Sequence, residues 1–329
     1  MARLALTLDP GRSLEEAVAR VRLAESLGYE RVFATHIAAR EPMQVLAHYA
    51  HATERIGLGT SIMPIQSRHP IVAAMEAATL HETSGGRFAL GLGVSHRLTV
   101  EGWYGLPLDD PVGRLREYAT IVRGILKQGS VSLEGTHYTA RFGFLGYTPP
   151  PGVTLLFAAL GPKMLRLAAE LADGVTLWMC SPGYIREVVR PTLDATLAEH
   201  GRDPEGFDVI AAVPLALGED AGAARDAFRK RAFPYLQLPF YRKAIAAGGH
   251  DDVLTAFDAA LAAGGPPDAM EAIPDAFVDD YAGVGDAAML RAKLEDYRAA
   301  GVTLPSVGPL GHHAGEAGLE ATLEAAAGS

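Results

Sequence analysis

The sequence predicts an α/β protein folded as a closed (β/α)8 TIM barrel. Two observations carry that expectation. Short β-branched or apolar runs alternate eight times with long amphipathic runs. Most of the short runs are continuously apolar, as strands buried on both faces of a parallel sheet are. Eight βα units suit closure into a barrel. A doubly wound open sheet is the competing architecture, and the absence of a GxGxxG fingerprint in the first unit weighs against it.

The elements follow in order. "RLALTL" (3–8) is the first strand, and "SLEEAVARVRLAESLG" (13–28) the first helix. Ser13 followed by Glu16 forms a capping box, and Gly28 stops the helix. "RVFAT" (31–35) precedes the helix of 42–54. "IGLGTSIM" (56–63) precedes that of 69–86, and "RFALGLGV" (87–94) that of 111–129. "TLLFAAL" (154–160) runs into 161–174, "VTLWM" (175–179) into 182–201, and "FDVIAAVPLAL" (207–217) into 221–233. "VTLPSVGPL" (302–310) precedes the last helix, 316–328. Three segments exceed a minimal barrel: a long loop at 95–110 after strand 4, a β-hairpin around Gly135 before strand 5, and a mostly helical insertion of about 234–300 between strands 7 and 8. The expected organisation is a single barrel domain spanning 1–329.

Composition narrows the function. The 329 residues are 49% hydrophobic and 21% charged, which supplies a large core. The formal charge is 29 − 39 = −10, with no long basic run, so nucleic acid and anionic membrane surfaces are poor partners. A single cysteine, Cys180, excludes an intramolecular disulfide and a thiolate metal cluster. The apolar run before Asp9 and Pro10 is too short for a signal peptide, and no stretch approaches a bilayer span. A cytoplasmic protein acting on a small molecule is expected, with no metal.

In a barrel of this kind the chemistry sits where strands end and helices begin. "SGGRF" (84–88) joins a helix to a strand, so it lies at the opposite end, with Gly85 and Gly86 ending the helix and Arg87 pairing locally. The mouth receives Thr35 and His36, then Thr60, Ser61 and Ile62, then Ser95 and His96. "ALGPK" (159–163), Trp178, Cys180 and the "GPLGHH" of 308–313 complete it. "AALGPKMLRLA" is the most informative segment. Its strand ends in small residues, turns on Gly161 and enters a helix through Pro162, whose missing N–H is not needed there. Backbone N–H groups at such a start bind a phosphate or carboxylate, and Lys163 adds a charge. An ordinary βα turn is the other reading of the same pattern.

The segments "IGLGTSIMPIQSRHPIVAAMEAATLHETSGGRFALGLGVS" (56–95) and "ALGPKMLRLAAELADGV" (159–175) resemble the luciferase-like monooxygenase superfamily. The second is most similar to its coenzyme F420-dependent oxidoreductase branch, as is "DAFVDDYAGVGDAAMLRAKLEDYRAAGV" (275–302). The likeness runs in matching order over nearly the whole chain. It implies a barrel that binds 8-hydroxy-5-deazaflavin (coenzyme F420), with FMN as the alternative, and a homodimer. It also implies a bulge with a non-prolyl cis peptide at strand 3, mapping onto Ser61–Ile62, where Gly59 and Ser61 make room and Ile62 backs the central ring. Gly161 and Lys163 would hold the phosphate, and Ala158, Ala159, Leu160 and Pro162 would line that wall. Thr60, Ser95 and His96 would lie near the ring or its ribityl chain.

The chain departs from the branch after strand 2. Where many members carry an acidic residue, "FATHIAARE" has His36. A histidine titrating near neutrality suits a proton donor, so His36 and His96 are the candidate catalysts. His69 reads as a helix cap and Arg68 as a surface residue. Trp178 and Tyr104 are expected as apolar walls for the substrate. The implied reaction is hydride transfer between the deazaflavin and a C=C, C=N or C=O group, or the reverse oxidation of an alcohol. The rivals are an FMN-dependent monooxygenase, a non-catalytic cofactor-binding homologue, and a metal-dependent hydrolase. The last would need His and Asp ligands where the chain has only Asp9 and the adjacent His312–His313.

Overall fold

The computed structural model describes residues 2–8, 11–218, 220–310 and 315–328. Asp9 and His312–His313 lie outside them. Eight parallel strands form the barrel: β1 (Ala5–Leu8), β2 (Arg31–Ala34), β3 (Gly57–Thr60), β4 (Phe88–Gly93), β5 (Thr154–Ala158), β6 (Gly174–Leu177), β7 (Asp208–Leu217) and β8 (Leu304–Pro309). Each pairs in parallel with the next, and β8 pairs back onto β1 through Ala5↔Ser306, which closes the ring. The closed barrel is therefore observed, and the open sheet is not.

Local signals in the sequence act as their chemistry requires. The Ser13 side chain accepts the N–H of Glu16 at 3.1 Å. Gly28 (φ 80°) lets the chain leave that helix in the left-handed region. At the bottom, Arg87 spends its guanidinium on the carbonyls of Ser84, Ile56, Ala50 and Thr53. The hairpin pairs Ser130–Glu134 with Thr139–Gly143, and its turn is pinned where Glu117 accepts the N–H groups of Thr136, His137 and Tyr138.

Side chains alternate across each strand, so every second residue points inward. Ala5, Phe33, Ala89, Leu156, Ile210 and Leu304 form the plug inside the barrel. Gly59 belongs to this layer: a Cβ there would lie 2.8 Å from the Phe33 ring. The expectation that Gly59 makes room for a cofactor is thus corrected, because its missing side chain makes room for Phe33. Two residues further along β1 and β8 the inward groups become polar. The hydroxyls of Thr7 and Ser306 meet at 2.8 Å.

The segment expected as an insertion, 234–300, divides between two cores. The helix Ala287–Ala299 puts Leu290, Leu294 and Tyr297 into the main core around the barrel. The helix Ala221–Ala232, expected as a barrel helix, instead sends Ala224, Phe228 and Ala232 into a second core with Phe257, Phe277 and Tyr281. Both helices are amphipathic, and a stripe of apolar residues does not say which core it will face. The second core rests on the ends of the last barrel strands through Met179, Ala216 and Leu310. Among the described residues no helix is long and apolar enough to cross a membrane.

Candidate active site

Strand 3 does not simply stop. Gly59 pairs with Ala89, and pairing resumes at Met63 with Leu92, so residues 60–62 face residues 90–91. Three residues oppose two, which is a bulge. The Thr60 hydroxyl fills the gap, donating to the Gly91 carbonyl and accepting the Gly91 N–H, both at 2.9 Å. Thr60 is fully buried there, so its side chain holds the bulge and has no reach left for a ligand. The peptide bond Ser61–Ile62 is cis, as the resemblance implied. The Ser61 N–H donates to the Ala34 carbonyl at 2.9 Å, and its hydroxyl lies 3.3 Å from that of Thr176 on β6. The bulge therefore reaches across the mouth and forms part of its floor.

Glycines on β4 make this possible. A Cβ at Gly91 would lie 1.9 Å from the Thr60 carbonyl oxygen, and one at Gly93 would lie 2.7 Å from Ile62 Cδ1. The same Cβ at Gly93 would lie 3.1 Å from Ala158 Cβ. Ile62, Gly93 and Ala158 thus form one continuous apolar surface from strand 3 to strand 5.

Beside the bulge the rim is charged. Arg68, expected at the surface, has a side chain only 12% exposed and bridges Glu41 (2.9 Å) and Glu76 (2.6 Å). Its carbonyl accepts the Tyr118 hydroxyl. A guanidinium flanked by two carboxylates can be drawn inward, which the lone "SRHP" pattern does not reveal. His69 caps the next helix by accepting the Ile71 N–H, as expected. Burial pushes the His36 imidazole below its ordinary pKa, and the Arg68 charge adds to this against Glu41. Burial does the same to His96. Both environments favour the neutral ring, which suits a group that accepts a proton better than the expected proton donor. His36 Nδ1 and both amide atoms of Gln66 are buried with no hydrogen-bond partner.

On the far side, β5 ends at Ala158. The Ala159 N–H reaches the Thr176 carbonyl at 3.4 Å, and the Leu160 carbonyl accepts the Tyr184 hydroxyl at 2.7 Å. The helix Pro162–Leu171 then begins at Gly161 with no side-chain cap. Neither the Gly161 nor the Lys163 N–H bonds a described residue, and nothing stands within 4 Å of where a Gly161 side chain would be. Ser95 (φ 58°) and Met179 (φ 52°) are left-handed without being glycine. They turn His96 and Trp178 at the ends of β4 and β6. Cys180 is buried and its thiol is pushed up by that burial, so it is no nucleophile.

The luciferase-like monooxygenase family model matches residues 1–304. The chain belongs to that family. It is accordingly an enzyme, an oxidoreductase. One similar relative is a Mycobacterium tuberculosis protein assigned provisionally to the coenzyme F420-dependent oxidoreductases. It is 32% identical over 305 residues, covering 86% of this chain and 88% of its own length. The solved F420-dependent tetrahydromethanopterin reductase of Methanopyrus kandleri shares the fold, with a TM-score of 0.84 at 24% identity over 99% of this chain and 97% of that one. The FMN complex of a Pseudomonas putida type II Baeyer–Villiger monooxygenase also shares it, with a TM-score of 0.74 at 17% identity over 99% and 96%.

In this family member the mouth fits a flat cofactor with an anionic tail. The bulge and the glycine-backed Ile62 form a smooth wall. The uncapped helix start leaves two N–H groups to a charged end. Nearby, His36 Nδ1 and the Gln66 amide are buried without a protein partner. The residues singled out from the sequence therefore gather at one rim, with Thr60 behind it. Sequence reasoning passed over Gly91 and Gly93, although "LGLG" repeats glycine at the strand period. It also passed over Gln66, Thr176, and the insertion residues Tyr235 and Tyr241, and it placed Arg68 at the surface. Tyr104 is half-buried and closes a helical segment, Leu98–Trp103, inside the stretch expected as a loop.

Proposed function

We propose that the chain is a coenzyme F420-dependent oxidoreductase acting on a small organic substrate that carries a C=C, C=N or C=O group, or the matching alcohol. The observation that carries this reading is the strand-3 bulge, Thr60–Ser61–Ile62, seated on Gly91 and Gly93 beside an uncapped helix start. When bound, the deazaflavin would supply or take up the hydride. The N–H groups of Gly161 and Lys163 would hold its phosphate, and Ile62 and Ala158 would back its ring. His36, whose neutral form is favoured by burial and by Arg68, would take the proton of an alcohol as its carbon is oxidised. His96 would face the substrate from the other side. The relative's assignment to coenzyme F420 supports the choice of cofactor.

FMN is the second reading, favoured by the shared fold of an FMN complex. It would bring oxygen chemistry that a deazaflavin does not support. The test is a fluorescence titration of the purified protein with coenzyme F420 and, separately, with FMN. Tight binding of F420 with weak binding of FMN is expected; preference for FMN would redirect the reaction class, and binding of neither would end the proposal. A homodimer in solution is proposed on the resemblance alone, and light scattering checks it.

A further inference from the structure

One wall of the mouth is not made by the barrel alone. His96 and Trp178 come from the rim, and Tyr235 and Tyr241 from the second core. Their ring centroids are 5.6 Å apart for Trp178–Tyr235, 4.9 Å for Tyr235–Tyr241 and 5.6 Å for Tyr241–His96. The planes meet at 70°, 67° and 59°. Four rings thus run in one continuous cluster from strand 6 to strand 4, edge to face at Trp178–Tyr235 and Tyr235–Tyr241 and tilted at Tyr241–His96. All four keep part of their surface open, whereas Phe228, Phe257, Phe277 and Tyr281 of the same second core are fully buried. The two rim members are aimed by left-handed residues next to them, Ser95 and Met179. Such backbone is uncommon outside glycine and persists where its surroundings fix it.

The wall's charge limits what it can take. The Arg231 guanidinium already lies 4.7 Å over the Trp178 ring, so that face is not open to a cationic ligand. Beside that guanidinium the other rings present an aromatic surface onto which a flat ring can stack.

We propose that Tyr235 and Tyr241, with Trp178 and His96, determine the substrate, and that it is a flat aromatic or conjugated molecule with its reducible group attached to the ring system. This rests on reading the mouth as a hydride-transfer site. The test compares two enones of equal length, trans-4-phenyl-3-buten-2-one and trans-4-cyclohexyl-3-buten-2-one, which differ in the flatness of the ring. Affinity is measured by calorimetry on the whole chain, with and without coenzyme F420. The Trp103→Phe variant leaves Trp178 as the one tryptophan, so its fluorescence reports whether the probe sits at this wall. The phenyl probe is expected to bind about tenfold more tightly than the cyclohexyl probe and to quench Trp178. Tyr235→Leu and Tyr241→Leu should each remove most of that preference, Tyr241→Phe should keep it, and F420 affinity should not change in any of them. Equal or inverted affinities in the wild type, no binding of either probe, or a preference that survives both leucine variants would overturn the proposal. A protein that discriminates the probes but binds no F420 would instead sink only the cofactor assignment.

Discussion

At His36 two effects act in one direction. Burial strips water from the imidazolium, and the Arg68 guanidinium repels it. The folded pKa therefore lies below the unfolded value, and a step needing neutral His36 is supported at neutral pH and lost as pH falls through the lowered pKa. Arg68→Gln removes the repulsion and leaves the attraction of Glu41. The acid limb of kcat/KM should then move to higher pH, together with the His36 titration seen by NMR. A limb that stays in place would show that Arg68 does not tune this ring. Thr60 makes a prediction of another kind. Thr60→Val keeps the shape but leaves the N–H and C=O of Gly91 unpaired in a buried site, at a cost of about 3 kcal/mol. Urea unfolding measures that cost, and Thr60→Ser should recover most of it. Neither role was legible in the sequence. A threonine at a strand end reads equally as rim or ligand, and an arginine between two prolines reads as surface until Glu41 and Glu76 are seen on either side.

At the scale of elements, sequence patterns spoke clearly wherever the chemistry is local. The Ser13 cap, the glycine stop at Gly28, the His69 cap and the uncapped entry at Gly161–Pro162 were all readable, because each depends on residues within one turn, although Glu16 turns its carboxylate to the Arg12 N–H. The bulge was reached by resemblance, and its support on β4 was missed, because a glycine's purpose depends on what approaches it from another strand. Gly91→Ala tests that support. Its Cβ would collide with the backbone carbonyl of Thr60, which cannot rotate away, so a loss of at least about 3 kcal/mol is expected in thermal or urea unfolding. Gly93→Ala meets the flexible end of Ile62 and, at 3.1 Å, the Cβ of Ala158, so it should fold at a smaller cost, with weakened cofactor binding. The helix start at 161–163 makes a milder prediction. With backbone N–H groups carrying the anion, Lys163→Ala should weaken F420 binding only about two- to fivefold in a fluorescence titration. A hundredfold loss would make the ammonium the true anchor.

The whole molecule divides its apolar interior in two. The main core surrounds the barrel, and the second core, built from residues 221–284, sits on the ends of strands 6 to 8. The eightfold alternation made the first legible. The second was misassigned at its edges, because periodicity reports that a helix has an apolar face without naming the partner of that face. Phe228 is fully buried in the second core, beside Phe277 and Tyr281. Phe228→Ala should cost about 3–5 kcal/mol locally. Hydrogen exchange should rise across 221–285 while β1 to β6 stay protected. Uniform loss of protection would mean that the two cores unfold as one.

That division has a consequence for descent. The roof that carries Tyr235 and Tyr241 has a core of its own, so substitutions behind it are felt weakly at the bulge and at the helix start of 161–163. Lineages can therefore rework the roof gene segment while the rim is inherited intact. Among descendants of such a chain, loyalty to the cofactor would be the old trait, and the range of molecules transformed the young one.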